Sequence, residues 1–253
     1  MFGIGTTWSK GEWLDAVTDD IQSEKAECDN VKVVIVFNST SSEKCVGDLL
    51  SQIVSFQNGS AAIKVQADLR QPESPSKIVQ AARLAFGDAV DILVNNAAYL
   101  AMGPLGEATV EEFSSHFDLN VRAVVLMAKA VLPFLRGSGR IINISSMGSR
   151  IGYPGSGLYN ASKAALDGLT RSYAAELGHL GHTVNCVNPG PVKTDMMLNV
   201  EQQAVDALTR ITPMENRAGT PDDIAQIVAF LAEERSRWIT GQTISATGGL
   251  LML

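Results

Sequence analysis

The sequence predicts an α/β fold: a doubly wound parallel sheet in three αβα layers, with helices on both faces. Short, uninterrupted apolar segments rich in Val and Ile alternate with longer segments in which apolar residues have helical spacing. Unbroken apolar segments are typical of strands that are buried on both faces. Because helical segments separate these strands, consecutive strands are expected to be parallel and joined by right-handed crossovers.

The elements follow one another without a linker, which predicts a single domain over residues 1–253. Strands are predicted at 31–37, 61–67, 91–97, 140–145, 182–188 and 240–246. Helices are predicted at 43–57, 74–86, 110–135, 156–177 and 221–233. The last helix has the clearest start, because Thr220 suits the N-cap and Pro221 the first helical position.

Composition excludes several classes of function. The net charge of -7 and the pI near 5.0 argue against a surface that binds nucleic-acid phosphates. No apolar run reaches the ~18 residues of a membrane span, and no export signal opens the chain, so a cytoplasmic location without a membrane partner is expected. The cysteines and histidines lack metal-ligand spacing, so no metal site is expected.

A tyrosine and a lysine lie four residues apart in the segment YNASK, at Tyr159 and Lys163. On a helix this spacing places both side chains on one face. A neighbouring ammonium group favours the phenolate and lowers the pKa of a tyrosine, which is ordinarily about 10. We therefore predict that Tyr159 acts as the general acid of a reduction or the general base of an oxidation.

Polar residues at the ends of predicted strands support this site. Ser145 and Ser146 follow the strand at 140–145, and ligands of open α/β sheets bind at this edge. The Ser146 hydroxyl is suited to donate to a substrate carbonyl oxygen as that oxygen gains charge. Asn120 lies in an apolar helical segment, so its amide is expected to bond a backbone carbonyl or water.

Taken in order, these motifs resemble those of the short-chain dehydrogenase/reductases. NNAA, at 95–98, is similar to the family's NNAG motif, and NPGPVKTDM ends the strand at 182–188 and follows it as in the family. Asn120, Ser146, Tyr159 and Lys163 match the catalytic tetrad. The resemblance extends over roughly residues 31–250.

The resemblance implies a Rossmann-type fold and hydride transfer between a nicotinamide cofactor and a carbonyl or alcohol substrate. Tyr159 would protonate the carbonyl oxygen, and Ser146 would polarise it. Lys163 would lower the pKa of Tyr159 and hold the nicotinamide ribose. Asn120 would hold a water molecule in the proton relay.

The resemblance also implies where the cofactor binds. Asp68, with Leu69 beside it, matches the acidic position that contacts adenine, and Asn95 and Ala97 belong to the motif that lines the adenosine ribose. After the predicted strand at 182–188, four residues match those that flank the nicotinamide, and the last of them would reach its carboxamide: Pro189, Gly190, Val192 and Thr194.

Cofactor choice is predicted from the end of the strand at 31–37. A carboxylate there would bind the ribose 2′-hydroxyl of NAD and repel the 2′-phosphate of NADP. The chain has Asn38, Ser39 and Thr40 instead, which favours NADP over NAD. The segment FNSTSSEK also resembles fungal polyketide and naphthol ketoreductases, which suggests secondary metabolism and a small, apolar, cyclic or polyketide-derived ketone.

Residues 1–30 depart from the family's strand, TGxxxGxG loop and helix. In MFGIG, Gly3 and Gly5 are a remnant of the loop at most. SKGE resembles a capping box with Ser9 at the N-cap. An apolar stripe typical of a helix follows it: Trp13, Leu14, Val17 and Ile21. We therefore expect a first helix without the central strand before it, unless residues 1–8 rebuild a short strand and turn or the chain is a truncated form of a longer protein.

Two further expectations remain open. The segment 190–215, with Met196, Met197 and Leu198, is either a lid over an apolar ligand or an ordinary surface helix with a packed methionine face. The chain is either an NADP-dependent ketoreductase, a non-catalytic scaffold or regulatory protein that binds no dinucleotide, or a dehydratase or isomerase without hydride transfer. The resemblance implies a homo-tetramer or dimer.

Overall fold

A computed structural model describes residues 2–6, 30–39 and 42–252, and it contains one seven-stranded sheet in which every pairing is parallel. The strands are β1 (Phe2–Thr6), β2 (Lys32–Phe37), β3 (Ala61–Gln66), β4 (Val90–Asn95), β5 (Leu135–Ile144), β6 (Thr183–Pro189) and β7 (Thr243–Ala246). Their order in the sheet is β3-β2-β1-β4-β5-β6-β7. The order reverses between β1 and β4, as in a doubly wound fold.

Helices cover both faces of this sheet, which confirms the predicted three-layer architecture. The helices within the described residues are α1 (Glu43–Ser55), α2 (Ser74–Phe86), α3 (Val110–Phe117), α4 (Ala123–Val131), α5 (Gly157–Leu177), α6 (Gln202–Ile211) and α7 (Pro221–Ala232). Alternate residues of β2 serve opposite faces: Val34 and Val36 pack with α2 and α4, whereas Ile35 and Phe37 pack with α1. The sheet is therefore buried on both sides.

The central strand is present at Phe2–Thr6, so the expected loss is wrong and the alternative of a short rebuilt strand is the one found. Ile4 of β1 lies beside Val34 of β2 and Leu93 of β4. Gly3 and Gly5 are strand residues rather than the remnant of a loop, so that interpretation is wrong. The pairing depends on backbone N–H and C=O groups, which a glycine-containing segment supplies as well as an apolar one. The predicted capping box at Ser9 and its helix, like Thr40, lie outside the described residues.

The helix predicted at 110–135 is interrupted. It consists of α3, a π turn at Asp118–Arg122 and α4, and β5 already begins at Leu135. The π turn lies at Asn120, whose side chain makes tertiary contacts there. Single π turns inside helices often occur at functional sites. The start of α7 is as predicted, because the Thr220 hydroxyl accepts from the backbone N–H of Asp223 in a capping box.

No helix in the described part of the chain has the length and apolar character needed to cross a bilayer.

Candidate active site

The site lies at the carboxyl edge of the sheet, where β4, β5 and β6 end next to one another. A cavity of about 270 Å³ opens there, next to the amino-terminal half of α5. Seven of the predicted catalytic and cofactor-binding residues line it: Ser146, Tyr159, Lys163, Pro189, Gly190, Val192 and Thr194. Residues far apart in sequence converge here because parallel strands place their carboxyl ends on the same edge.

Tyr159 and Ser146 interact across this cavity. Burial raises the pKa of the Tyr159 phenol above its ordinary value, and a hydrogen bond with Ser146 opposes that rise. The turn that follows β5 fixes the Ser146 side chain, because the Gly148 backbone N–H donates to Ser146 Oγ over 3.1 Å. A donor beside the phenol stabilises its charged form, so the pair is suited to pass and receive a proton.

Lys163 is buried below Tyr159 on the same helix, with 1% of its surface exposed. Its Nζ lies 5.8 Å from the centre of the Tyr159 ring and donates to the carbonyl of Ile144 over 2.7 Å. Burial lowers the pKa of Lys163 to about 8, and the charges of Cys186 and Asp167 oppose this shift. The expected lowering of the Tyr159 pKa by Lys163 is not what this geometry gives, because burial dominates at Tyr159.

Asn120 is fully buried and lies behind the cavity rather than in its wall. Its Oδ1 accepts from the Tyr99 backbone N–H over 2.7 Å, and its Nδ2 donates to the Tyr99 carbonyl and to Ser162 Oγ. Ser162 in turn donates to the carbonyl of Tyr159. Asn120 therefore ties the segment after β4 to the helix that carries Tyr159, and the predicted backbone partner of its amide is present.

The segment predicted to flank the nicotinamide follows β6, and its backbone passes close to Thr247 at the end of β7. The Gly190 backbone N–H donates to Ala246, and a Cβ at Gly190 would lie 3.2 Å from Thr247 Cα. Glycine thus allows this segment to pack against the end of β7 while Pro189, Val192 and Thr194 face the cavity. This cradle, next to the hydroxyl of Tyr159 and the ammonium of Lys163, fits a nicotinamide ribose.

The other predicted cofactor residues lie at neighbouring strand ends, outside this cavity. Asp68 pairs with Arg70 over 2.8 Å, and this guanidinium holds the pKa of Asp68 below its usual value. Asn95 Nδ2 donates to Asn143 on the neighbouring strand. This bond uses one donor of the Asn95 side chain, which was predicted to line the adenosine ribose. Leu69 and Ala97 are buried in the core.

At the end of β2, the Asn38 carbonyl accepts from the Gln66 side chain, and Ser39 Oγ lies 3.4 Å from Ser42 Oγ. Within the described residues, no group of three or more His, Cys, Asp or Glu side chains is arranged to hold a metal ion.

Sequence reasoning missed part of the apolar wall. Met102 lines the cavity from the segment after β4, Met147 and Tyr153 from the connection between β5 and α5, and Val205 and Leu208 from α6. Within the 190–215 segment, Met196 and Met197 face the cavity, whereas Leu198 is 83% exposed. No spacing in the sequence connects these residues, because they meet only through the tertiary fold.

Comparison with known proteins decides the family. A family model described as enoyl-(acyl carrier protein) reductase matches residues 24–251. The short-chain dehydrogenase/reductase FrzI of Cladobotryum sp is 44% identical over 87% of this chain and 86% of that protein. The chain belongs to the short-chain dehydrogenase/reductase family. Together with the fold, this membership identifies an oxidoreductase that acts on small molecules.

Two further proteins are similar to this chain. A hydroxynaphthalene reductase-like protein, Arp2 of Metarhizium guizhouense, is 36% identical over 85% of this chain and 84% of its own length. A blue fluorescent protein from a metagenomic library, solved in complex with NADPH, is 31% identical. It superimposes with a TM-score of 0.83 over 98% of each chain. A nicotinamide dinucleotide cofactor is therefore supported for this chain.

Proposed function

We propose that this protein is an NADP(H)-dependent reductase of a small, apolar, cyclic or polyketide-derived ketone, or the dehydrogenase of the corresponding alcohol. The observation that carries the proposal is the convergence of Tyr159, Ser146 and Lys163 in one apolar cavity. A general acid, a hydrogen-bond donor and a cation are what a carbonyl oxygen requires as it becomes an alkoxide and then an alcohol. The hydroxynaphthalene reductase-like relative supports a cyclic ketone.

In this proposal Tyr159 and Ser146 both bond the substrate carbonyl oxygen. When bound, the nicotinamide cofactor would supply hydride chemistry at the carbonyl carbon. Tyr159 gives its proton to the oxygen, and the Ser146 hydroxyl stabilises the negative charge that develops. Lys163 holds the nicotinamide ribose, and the bond from Ser146 stabilises the phenolate left on Tyr159. Asn120 holds the helix of Tyr159 in place instead of a relay water, because its side-chain amide bonds Tyr99 and Ser162 behind the cavity.

NADP preference rests on the end of β2, where Asn38 and Ser39 replace the carboxylate that favours NAD. The NADPH complex of the metagenomic relative supports the same cofactor. We assign Asp68 and Leu69 to the adenine and Asn95 and Ala97 to the adenosine ribose.

The nicotinamide itself is assigned to the segment after β6, and Thr194 is the residue that reaches its carboxamide. The segment 190–215 serves as the substrate lid, because Met196 and Met197 face the cavity.

We further assign residues 1–253 to one domain, since one sheet includes strands from Phe2 to Ala246. We propose a cytoplasmic homo-tetramer or dimer. Val110 and Phe113 are exposed on α3, and Phe113 stacks on Phe117 there, which leaves apolar surface for a second copy. Light scattering after size-exclusion chromatography distinguishes these assemblies from a monomer.

The decisive experiment is a titration of the purified protein with NADPH and with NADH, followed by a screen of cyclic ketones. We expect saturable binding that is tighter for NADPH, and NADPH oxidation with a subset of the ketones. A folded protein that binds neither cofactor would contradict the proposal and favour a non-catalytic scaffold. Turnover of a substrate without cofactor would instead favour a dehydratase or isomerase.

The role of Tyr159 is tested by Tyr159→Phe, with Tyr173→Phe as a matched control on the same helix. Loss of the proton donor is expected to reduce kcat by about 100-fold or more while NADPH binding is retained. Tyr173 does not line the cavity, so its variant is expected to keep kcat. Equal kcat values for the two variants would remove Tyr159 from the proton transfer.

A further inference from the structure

Behind the cavity, a buried carboxylate joins three segments of the site. Asp167 lies one turn after Lys163 on α5, and 4% of its side chain is exposed. Its Oδ2 accepts from Ser149 Oγ over 2.8 Å and from Arg150 Nε over 2.9 Å. The Sγ of Cys186, on β6, donates to Oδ1 over 3.6 Å.

Asn188 extends this network to the segment that precedes the nicotinamide cradle. Its Nδ2 donates to Ser149 Oγ over 2.7 Å and lies 3.5 Å from Asp167 Oδ2. Asn188 is followed directly by Pro189 and Gly190. One carboxylate therefore connects the turn after β5, the end of β6 and the helix of Tyr159 and Lys163.

The turn after β5 is the segment that carries Ser146. The Ser149 backbone N–H donates to the Ser146 carbonyl over 3.0 Å, and Ser146 is the N-cap of this turn. Fixing the Ser149 side chain on Asp167 therefore fixes the position of Ser146 relative to α5. A displacement of about 1 Å between reacting groups is enough to slow catalysis by about 100-fold.

We propose that Asp167 is a positioning residue, which holds Ser146 against Tyr159 through Ser149 and keeps a negative charge next to Lys163. The inference rests on the proposed reductase function and adds a residue that contacts neither substrate nor cofactor. Its buried charge is compensated, because Arg150 pairs with it and the hydroxyl of Ser149 donates to it.

The charge of Asp167 also acts on Lys163. The titratable or charged groups around Lys163 in the described structure are Tyr159 and Asp167 on α5, Cys186 on β6, and Arg150 bound to Asp167. Burial lowers the pKa of Lys163, and Asp167 raises it. Removal of the Asp167 charge is therefore expected to move the Lys163 titration to lower pH.

The test compares Asp167→Asn with Ser149→Ala, which removes the hydroxyl link without changing charge, and with Glu176→Gln, an exposed charge change on the same helix. NADPH-dependent ketone reduction gives kcat and KM. The ε-carbon NMR resonance of Lys163, in cofactor-free protein labelled with ¹³C-lysine, follows its ionisation and is assigned with Lys163→Arg.

We expect kcat to fall about tenfold in Asp167→Asn and about threefold in Ser149→Ala, with the KM for NADPH nearly unchanged. The Lys163 midpoint is expected to fall by about 0.5 pH unit or more in Asp167→Asn only. Glu176→Gln is expected to match the wild-type protein in both measurements.

The proposal would be overturned if Asp167→Asn folds and has the same kcat and the same Lys163 titration midpoint as the control Glu176→Gln. If Asp167→Asn does not fold, a wild-type kcat in Ser149→Ala overturns it. A wild-type protein without ketone turnover contradicts the proposed function instead. In that case the cofactor-free Lys163 titration still decides the inference, and an unchanged midpoint in Asp167→Asn rejects it.

Discussion

Burial of the Lys163 ammonium group lowers the stability of the folded protein, and the proposed role of Lys163 requires that burial. A buried ammonium group is less stable than a solvated one, and the bond from Lys163 Nζ to the Ile144 carbonyl over 2.7 Å offsets part of this loss. Its pKa falls from 10.5 to about 8. Between about pH 8 and 10.5 the unfolded chain keeps a proton on Lys163 that the folded chain has released. The free energy of unfolding therefore rises with pH over this range.

Replacing this side chain is therefore expected to stabilise the protein while it abolishes activity. At pH 7, Lys163→Met should raise the free energy of unfolding by about 2 kcal/mol, which is the pKa difference at ~1.4 kcal/mol per unit less one lost hydrogen bond. The difference from wild type should shrink as pH rises from about 8 to 10.5.

Urea denaturation between pH 6 and 10.5 measures this difference. Lys129→Met, at an exposed lysine on α4, is the matched control and should change stability by less than ~0.5 kcal/mol. The pKa of Cys186 is raised to about 12 by burial, which lowers stability at high pH in both proteins. A Lys163→Met protein that is less stable than wild type at pH 7 would contradict the prediction.

At the scale of elements, the segment after β6 gives the cavity its apolar wall. A short 3₁₀ turn at Asp195–Asn199 directs Met196 and Met197 inward, and α6 adds Val205 and Leu208 one turn apart. Methionine side chains adapt to irregular ligands, and sulfur packs favourably on aromatic rings. This element is thus suited to a flat, apolar substrate.

A polar side chain in this wall is expected to weaken substrate binding. Leu208→Gln should raise the KM for an apolar ketone about tenfold, equivalent to ~1.4 kcal/mol of lost apolar burial, with a smaller effect on kcat. Ile211→Gln is the control, because Ile211 lies on the same helix and is 65% exposed. Steady-state kinetics on one ketone compares the two variants, and equal KM values would show that α6 does not contact the substrate.

At the scale of the whole molecule, the fold depends on a central strand that is poorly marked in the sequence. β1 is hydrogen-bonded to β2 on one side and to β4 on the other, and it joins the two halves of the sheet. Its backbone groups have two sets of partners, whereas the edge strand β3 has one. A break in β1 is therefore expected to disrupt the entire sheet.

Proline substitutions test this dependence. Ile4→Pro removes a backbone N–H from the central ladder, leaves a buried carbonyl unsatisfied and should cost at least about 1–3 kcal/mol. Lys64→Pro, on β3, is the control. Because the N–H groups of Ala61 and Ala67 donate to the β2 side, the amide of Lys64 points away from the sheet. Chemical denaturation should show a much smaller loss for Lys64→Pro, and equal losses would argue against a central β1.

The sequence by itself determined the alternation of strands and helices, the carboxyl edge as the site, and the group of Ser146, Tyr159 and Lys163. These features depend on local periodicity and on short motifs, which a single sequence contains. The π turn at Asn120 was not predictable, because it depends on bonds to Tyr99 and Ser162 that form only in the packed fold.

Tertiary structure alone decided the rest. The strand at Phe2–Thr6 has little apolar pattern of its own, and it is stabilised by backbone pairing with β2 and β4. The upward shift of the Tyr159 pKa and the network at Asp167 likewise arise from burial and from contacts between residues distant in sequence. Sequence periodicity indicates which face of an element is buried. The partners of a polar group depend on which residues the tertiary structure brings together.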